Sequence, residues 1–153
     1  MGGALRSRHD AGVRSDRRRA RHASPAVLIV EDDQTVAEAT AEAIEAIGYR
    51  GIHAADGGQA LEALERERPA LLLVDMSLPG MSGSELLRLV RNNPIWSRIP
   101  RVIITGTNDP MIGIREDAPV FYKPLDMDSL LMVVHRYCAR ARPRLSAAAE
   151  RRG

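Results

Sequence analysis

Leu71-Leu72-Leu73-Val74-Asp75-Met76-Ser77-Leu78-Pro79-Gly80 is the stretch from which the fold can be read. Four consecutive apolar residues make a short buried strand. An aspartate follows at once, and Pro79-Gly80 supplies turn chemistry. A carboxylate just past a buried strand stands where open α/β sheets place their ligands. For a single strand, an aspartate opening a loop would be explanation enough. Three further strand ends change the odds.

Working outward, Ala26-Val27-Leu28-Ile29-Val30 is a second apolar strand, and it runs into Glu31-Asp32-Asp33. Val36, Thr40, Ala43, Ile44 and Ile47 then recur at helical spacing, and Gly48 has the place of a C′ residue. Arg50–Ala54 is a weaker strand. Asp56 with Gln59 predicts an N-cap and capping box for a helix that turns Ala60, Leu61 and Leu64 inward and ends by Pro69. Beyond the central strand, Ser82-Gly83-Ser84-Glu85 repeats the capping pattern, Leu86, Leu87, Leu89 and Val90 form an apolar face, and Asn92-Asn93-Pro94 stops the helix. Arg101–Ile104 is the fourth strand, closed by Thr105-Gly106-Thr107. Residues 108–118 are polar, with Pro110 and Gly113, so a fourth helix there is short or irregular. Pro119–Tyr122 is the fifth strand, ending in Lys123-Pro124, and Asp126 caps a last helix with Leu130, Val133, Val134, Tyr137 and Cys138 facing in. Strands that are apolar throughout, alternating with helices, require a parallel sheet covered on both faces. Right-handed crossovers wind five such units into an open, doubly wound α/β sheet.

Composition bounds the function. The 153 residues suit one ordinary domain. Aromatics are 3%, too few for a surface that stacks single-stranded nucleic acid. No apolar run approaches the roughly 20 residues of a membrane span, and the basic N-terminus lacks the apolar stretch of a signal peptide. Cys138 is the only cysteine, which excludes an intramolecular disulfide and fits cytoplasmic residence. The net charge of +2 divides into +5 for residues 1–24, −7 for 25–139 and +4 for 140–153. Residues 1–24 are expected to be a disordered Arg-rich tail and 141–153 a second basic tail, around a folded unit at 25–140. Nucleic acid or an acidic partner would be met only through these tails, for example at Arg17-Arg18-Arg19-Ala20-Arg21.

All C-terminal strand ends of a parallel sheet lie along one edge. That edge gathers Glu31 and Asp32 from the first strand, Asp75 from the third, Thr105 from the fourth and Lys123 from the fifth. Carboxylates crowded into one crevice repel, so a pKa rises or a cation is taken up. Hard oxygen donors in an open site suit Mg²⁺ or Mn²⁺. A metal, a hydroxyl and an ammonium are also what neutralise a transferring phosphoryl group while a carboxylate oxygen attacks it in line. Of 22 basic residues only Lys123 is a lysine. An ammonium is a compact point charge and a guanidinium a wide planar fork, so its place at this edge argues for a need for compactness.

Val30-Glu31-Asp32-Asp33, Asp75 to Gly83, Ile103-Ile104-Thr105-Gly106 and Lys123-Pro124, in this order and each closing an apolar strand, resemble the receiver (CheY-like) domain of two-component response regulators over residues 25–140. The resemblance implies a flavodoxin-like strand order 2-1-3-4-5. It implies Asp75 as phosphoacceptor, Asp32 as a direct Mg²⁺ ligand, Glu31 acting through a metal-bound water, and Ser77 giving its backbone carbonyl to the metal. Asp33 is then a helix cap. Thr105 would bind the phosphoryl group, Lys123 would pair with it, and the Lys123–Pro124 peptide would be cis, the state of about 5–6% of such bonds. The implied partners are a histidine kinase or histidine phosphotransfer protein, with a homodimer and an effector protein beyond them. The implied activity is self-catalysed phosphoryl acceptance and autodephosphorylation, not enzymatic turnover of another substrate. With no output domain in the sequence, such a protein would signal through protein–protein contact.

Two departures bear on signalling. The aromatic that usually stands three residues before the lysine is Val120 here, with Phe121 and Tyr122 displaced toward Lys123. The stretch from Thr105 to Lys123 is also shorter than usual. Gly106 replaces a small alanine and keeps the phosphate entrance open, while Ser77 and Thr107 flank the path of hydrolytic water. The departures leave a phosphorylation-independent interaction module as the alternative. A phosphatase of the dehalogenase type would want a second aspartate where Ser77 stands.

Overall fold

A computed structural model describes residues 24–141. The two tails expected at 1–24 and 141–153, including Arg17–Arg21, lie outside the described residues but for Ser24 and Ala141. The strands are β1 (Ala26–Val30), β2 (Arg50–Ala54), β3 (Leu71–Asp75), β4 (Arg101–Thr105) and β5 (Val120–Tyr122). The helices are α1 (Gln34–Ala46), α2 (Gly57–Arg66), α3 (Gly83–Asn92), α4 (Ile112–Glu116) and α5 (Met127–Ala141). All strand pairs are parallel, in the order β2-β1-β3-β4-β5.

Burial follows the strand pattern. Every residue of β1 and β3 is buried, whereas the edge strands β2 and β5 are mostly half-buried. Side chains alternate across the sheet and build two cores. Leu28, Val30, Leu72, Val74 and Ile103 face α2, α3 and α4 through Ala60, Leu64, Leu86, Leu87, Val90 and Ile112. Val27, Ile29, Leu71, Leu73, Val102 and Ile104 face α1 and α5 through Ile44, Leu130, Val134 and Cys138. Full burial of a Leu or Ile contributes about 1.5–3 kcal/mol, so the ten or more such side chains in these cores hold the sheet firmly.

Local signals place the helix ends. Asp33 caps α1 by accepting the Val36 N–H at 3.2 Å. Gly48, with φ of 93°, closes it, donating to the Glu45 carbonyl while the Tyr49 N–H reaches Ile44, the Schellman arrangement. Asp56 caps α2 through the Gln59 N–H at 2.8 Å, but the Gln59 side chain reaches past the cap to the Ala55 N–H at 2.8 Å. Ser82 caps α3 through the Glu85 N–H at 3.1 Å. Trp96, whose partner the sequence left open, starts a 3₁₀ turn (Trp96–Arg98) and packs on the α2–α3 core. The short α4 has five residues. It is anchored by an ion pair from its buried Glu116 to Arg91 of α3.

Candidate functional site

The strand ends meet as parallel pairing requires. Register sets Asp75 of β3 beside Ile104 of β4, and Thr105 beside Tyr122 of β5. Beyond the strands the backbone stays pinned: the Met76 N–H donates to Ile104, the Lys123 N–H to Thr105 and the Glu31 N–H to Ala54. The Lys123–Pro124 peptide is cis. Gly83 brings α3 against this edge, since a Cβ there would lie 2.8 Å from the Asp75 carbonyl oxygen and from Met76 Cα.

Asp75 is 1% exposed, and both its oxygens are engaged. Oδ1 accepts the Ser77 N–H at 2.8 Å. Oδ2 accepts from Lys123 Nζ at 2.6 Å. The same ammonium lies 3.6 Å from Glu31 Oε2. Glu31 is itself buried, and its Oε1 accepts the Asp33 N–H at 3.2 Å. Burial, with the hydrogen bond and charge of Asp75 added to it, pushes the Glu31 carboxyl up to about 7, against the pull of the Asp33 amide and Lys123. Burial works against the charged Lys123, but its bond to Asp75 and the charges of Asp75 and Glu31 outweigh this and hold the ammonium above its ordinary range.

Asp32, next in sequence, is exposed. Glu31, Asp32 and Asp75 each present a carboxylate oxygen, all within 4.8 Å of one another. Three hard-oxygen donors, two buried and one open to solvent, fit Mg²⁺ or Mn²⁺, which bind through a few carboxylates and keep waters. The raised Glu31 comes first from its burial and then from the neighbouring Asp75 carboxylate.

Of the predicted residues, Glu31, Asp32, Asp75 and Lys123 converge. Ser77 joins through its amide on Asp75. Thr105 reaches the same edge fully buried, but its hydroxyl is turned to Thr107: Oγ1 lies 3.0 Å from Thr107 Oγ1 and accepts the Thr107 N–H at 3.1 Å. Val120 points into the α2–α3 core and Phe121 into the opposite one. Tyr122 is exposed, and its hydroxyl donates to the Asp109 carbonyl at 3.4 Å. At Gly106 a Cβ would meet nothing within 4 Å, so the position borders open space.

Two supports had no sequence signal. The His53 ring contacts the Glu31 carbonyl through Nε2 at 2.7 Å, fixing the backbone of the acidic pair from β2. Arg91 and Glu116 are 25 residues apart, and nothing local links them.

The sequence profile of the response regulator receiver domain matches residues 27–134. Sporulation initiation phosphotransferase F of Bacillus subtilis is 34% identical over 116 residues, which cover 72% of this chain and 91% of that protein. The CAI-1 autoinducer sensor kinase/phosphatase CqsS of Vibrio cholerae is 33% identical over 110 residues, 69% of this chain but only 16% of that protein. Among solved structures, a CheY-like response regulator receiver domain from Methylobacillus flagellatus superposes with a TM-score of 0.66 at 28% identity, covering 74% of this chain and 98% of that one. No helix among the described residues is long and apolar enough to cross a membrane.

Proposed function

This chain belongs to the response regulator receiver family, and from that premise we propose that it accepts a phosphoryl group on Asp75 in a Mg²⁺-dependent reaction. The donor is a phosphorylated histidine of a histidine kinase or histidine phosphotransfer protein, and the output is a change in protein–protein contact. The observation that carries the proposal is the pairing of Lys123 Nζ with Asp75 Oδ2 at the mouth of a three-carboxylate cluster.

The Ser77 N–H holds Asp75 Oδ1 and so fixes the carboxylate plane, leaving Oδ2 on the side of Lys123. That oxygen forms the new O–P bond as the P–N bond to the donor imidazole breaks. The electron pair of that bond stays on the imidazole nitrogen. Lys123 then exchanges Oδ2 for a phosphoryl oxygen, and Thr105 turns its hydroxyl toward another. Glu31, Asp32, Asp75 and the Ser77 carbonyl would hold the metal. When bound, it supplies the positive charge that three carboxylates and a phosphoryl group require. Loss of the phosphoryl group is attack of water on the same phosphorus, so acceptance and loss both occur on the chain's own Asp75 and no other substrate is turned over. A cytoplasmic setting is part of this reading, supported by a single, buried cysteine.

Incubation with acetyl phosphate and Mg²⁺ should label the protein on Asp75, and Asp75→Asn should remain unlabelled. Equal labelling of both would end the proposal. Val120 at the usual aromatic position and the five-residue α4 favour one second reading, an interaction module indifferent to phosphorylation. It would be preferred if partner binding were the same for Asp75→Asn and for the labelled wild type.

A further inference from the structure

We propose that Thr107 is a positioning residue that restrains the switch, by engaging the Thr105 hydroxyl proton until a phosphoryl oxygen competes for it. The inference rests on the phosphoacceptor reading and adds a control on the same site.

One proton has to be accounted for. Thr105 is 0% exposed, so its hydroxyl is out of reach of bulk water. Its oxygen already accepts the Thr107 N–H at 3.1 Å. That leaves the hydroxyl proton, and the Thr107 hydroxyl oxygen lies 3.0 Å away. Either oxygen could in principle donate across that contact. If Thr107 donated, a fully buried Thr105 proton would be left without an acceptor; if Thr105 donates, every group is satisfied. Thr107 is exposed, so its own proton can go to water. The ground state is therefore held by a contact whose inner member is dry and whose outer member is wet.

This asymmetry sets the sign. Removing the Thr107 hydroxyl while keeping its shape leaves the Thr105 proton unpaired only when no phosphoryl oxygen is present. Once a phosphoryl oxygen is the acceptor, the Thr107 hydroxyl is not needed. Thr107→Val thus destabilises one state and spares the other, and the equilibrium moves toward the phosphoryl-bound form. A net hydrogen bond corresponds to a shift of about 2- to 10-fold.

Beryllium fluoride with Mg²⁺, which adds to a carboxylate as a phosphoryl mimic, is the probe, and its apparent affinity is measured by calorimetry on the full chain. Thr107→Val should bind it about 2- to 10-fold more tightly than wild type, and Thr107→Ser, which keeps the hydroxyl, should match wild type. In a Thr105→Val background the Thr107→Val effect should vanish, because there is no proton left to compete for. A methyl NMR signal from Thr105 should shift toward its beryllofluoride position in metal-free Thr107→Val. Unchanged affinity in Thr107→Val, or the same gain in the Thr105→Val background, would overturn the inference. Wild type that binds no beryllium fluoride would instead bring down the phosphoacceptor reading beneath it.

Discussion

Lys123 Nζ stands 2.6 Å from Asp75 Oδ2, across 48 residues of chain, and it is the one lysine in a protein with 22 basic side chains. The pair joins a carboxylate 1% exposed to an ammonium whose side chain is 35% exposed. It is half-open, and its parts are not equivalent.

Removing the ammonium should therefore cost stability as well as function. Lys123→Met leaves Asp75 and Glu31 facing each other with no cation between them. Breaking a fully buried pair costs about 3–5 kcal/mol. The partly solvated lysine lowers that to about 1–3 kcal/mol. Urea denaturation of the metal-free protein at pH 8 measures it. Lys123→Arg should recover part of the stability but not phosphorylation, since a planar fork cannot occupy a point-charge site. Unaltered stability in Lys123→Met would mean that the ion pair contributes nothing in solution.

Glu31 predicts a pH dependence. Its folded pKa of about 7 lies above the ordinary 4.5, so the native state binds more protons than the unfolded one between those values. Stability must then fall as pH rises through that window, in the absence of metal. Glu31→Gln should be more stable than wild type at pH 8, by at most about 3 kcal/mol, and the gain should disappear near pH 4. Burial sets most of the effect; Asp75 adds to it, and the Asp33 amide and Lys123 oppose it. Thermal melts at the two pH values suffice, and a pH-independent gain would contradict the assignment.

The exposed and buried carboxylates should separate metal binding from folding. Mg²⁺ at 100 times its Kd would stabilise the native state by about 2.7 kcal/mol. Asp32 is exposed, so Asp32→Asn should change metal-free stability by no more than about 0.5 kcal/mol while abolishing most of the Mg²⁺-induced rise in Tm. A full Mg²⁺ response in Asp32→Asn would remove Asp32 from the ligand set.

The ion pair between Arg91 and Glu116 should prove lopsided. Glu116 is 7% exposed and Arg91 is partly open to water. Arg91→Met strands a buried carboxylate, whereas Glu116→Gln releases an arginine that water can solvate. The first should cost about 1–3 kcal/mol and the second less. Hydrogen exchange across residues 106–118 should accelerate in Arg91→Met. Equal losses in both variants would refute the asymmetry.

Much of this molecule could be read before folding, and the parts that could not share a cause. Asp33, Asp56 and Ser82 were legible as caps because a cap bonds within three residues of itself. Gln59 was half legible: the residue acts at the cap, but its side chain chooses Ala55 over Asp56 by a detail of loop geometry. Tyr122 and Val120 show the limit more clearly. Alternation along β5 puts both on one side, yet Val120 is packed inward and Tyr122 rests on the Asp109 carbonyl of a neighbouring loop. His53 and Arg91 carried no signal, since each matters only through a partner far away in the chain.

The sequence by itself determined the alternation of strands and helices, the sheet it winds into, and which carboxylates, hydroxyl and ammonium arrive at one edge. Those follow from apolar periodicity and from the rule that parallel strands end together. The tertiary structure decided what these groups do on arrival: that Glu31 holds its proton to about 7, that Lys123 is bonded to Asp75, and that the Thr105 hydroxyl is occupied by Thr107. A pKa or a hydroxyl's partner is set by the few atoms within hydrogen-bonding reach, and chain closure alone brings those atoms together.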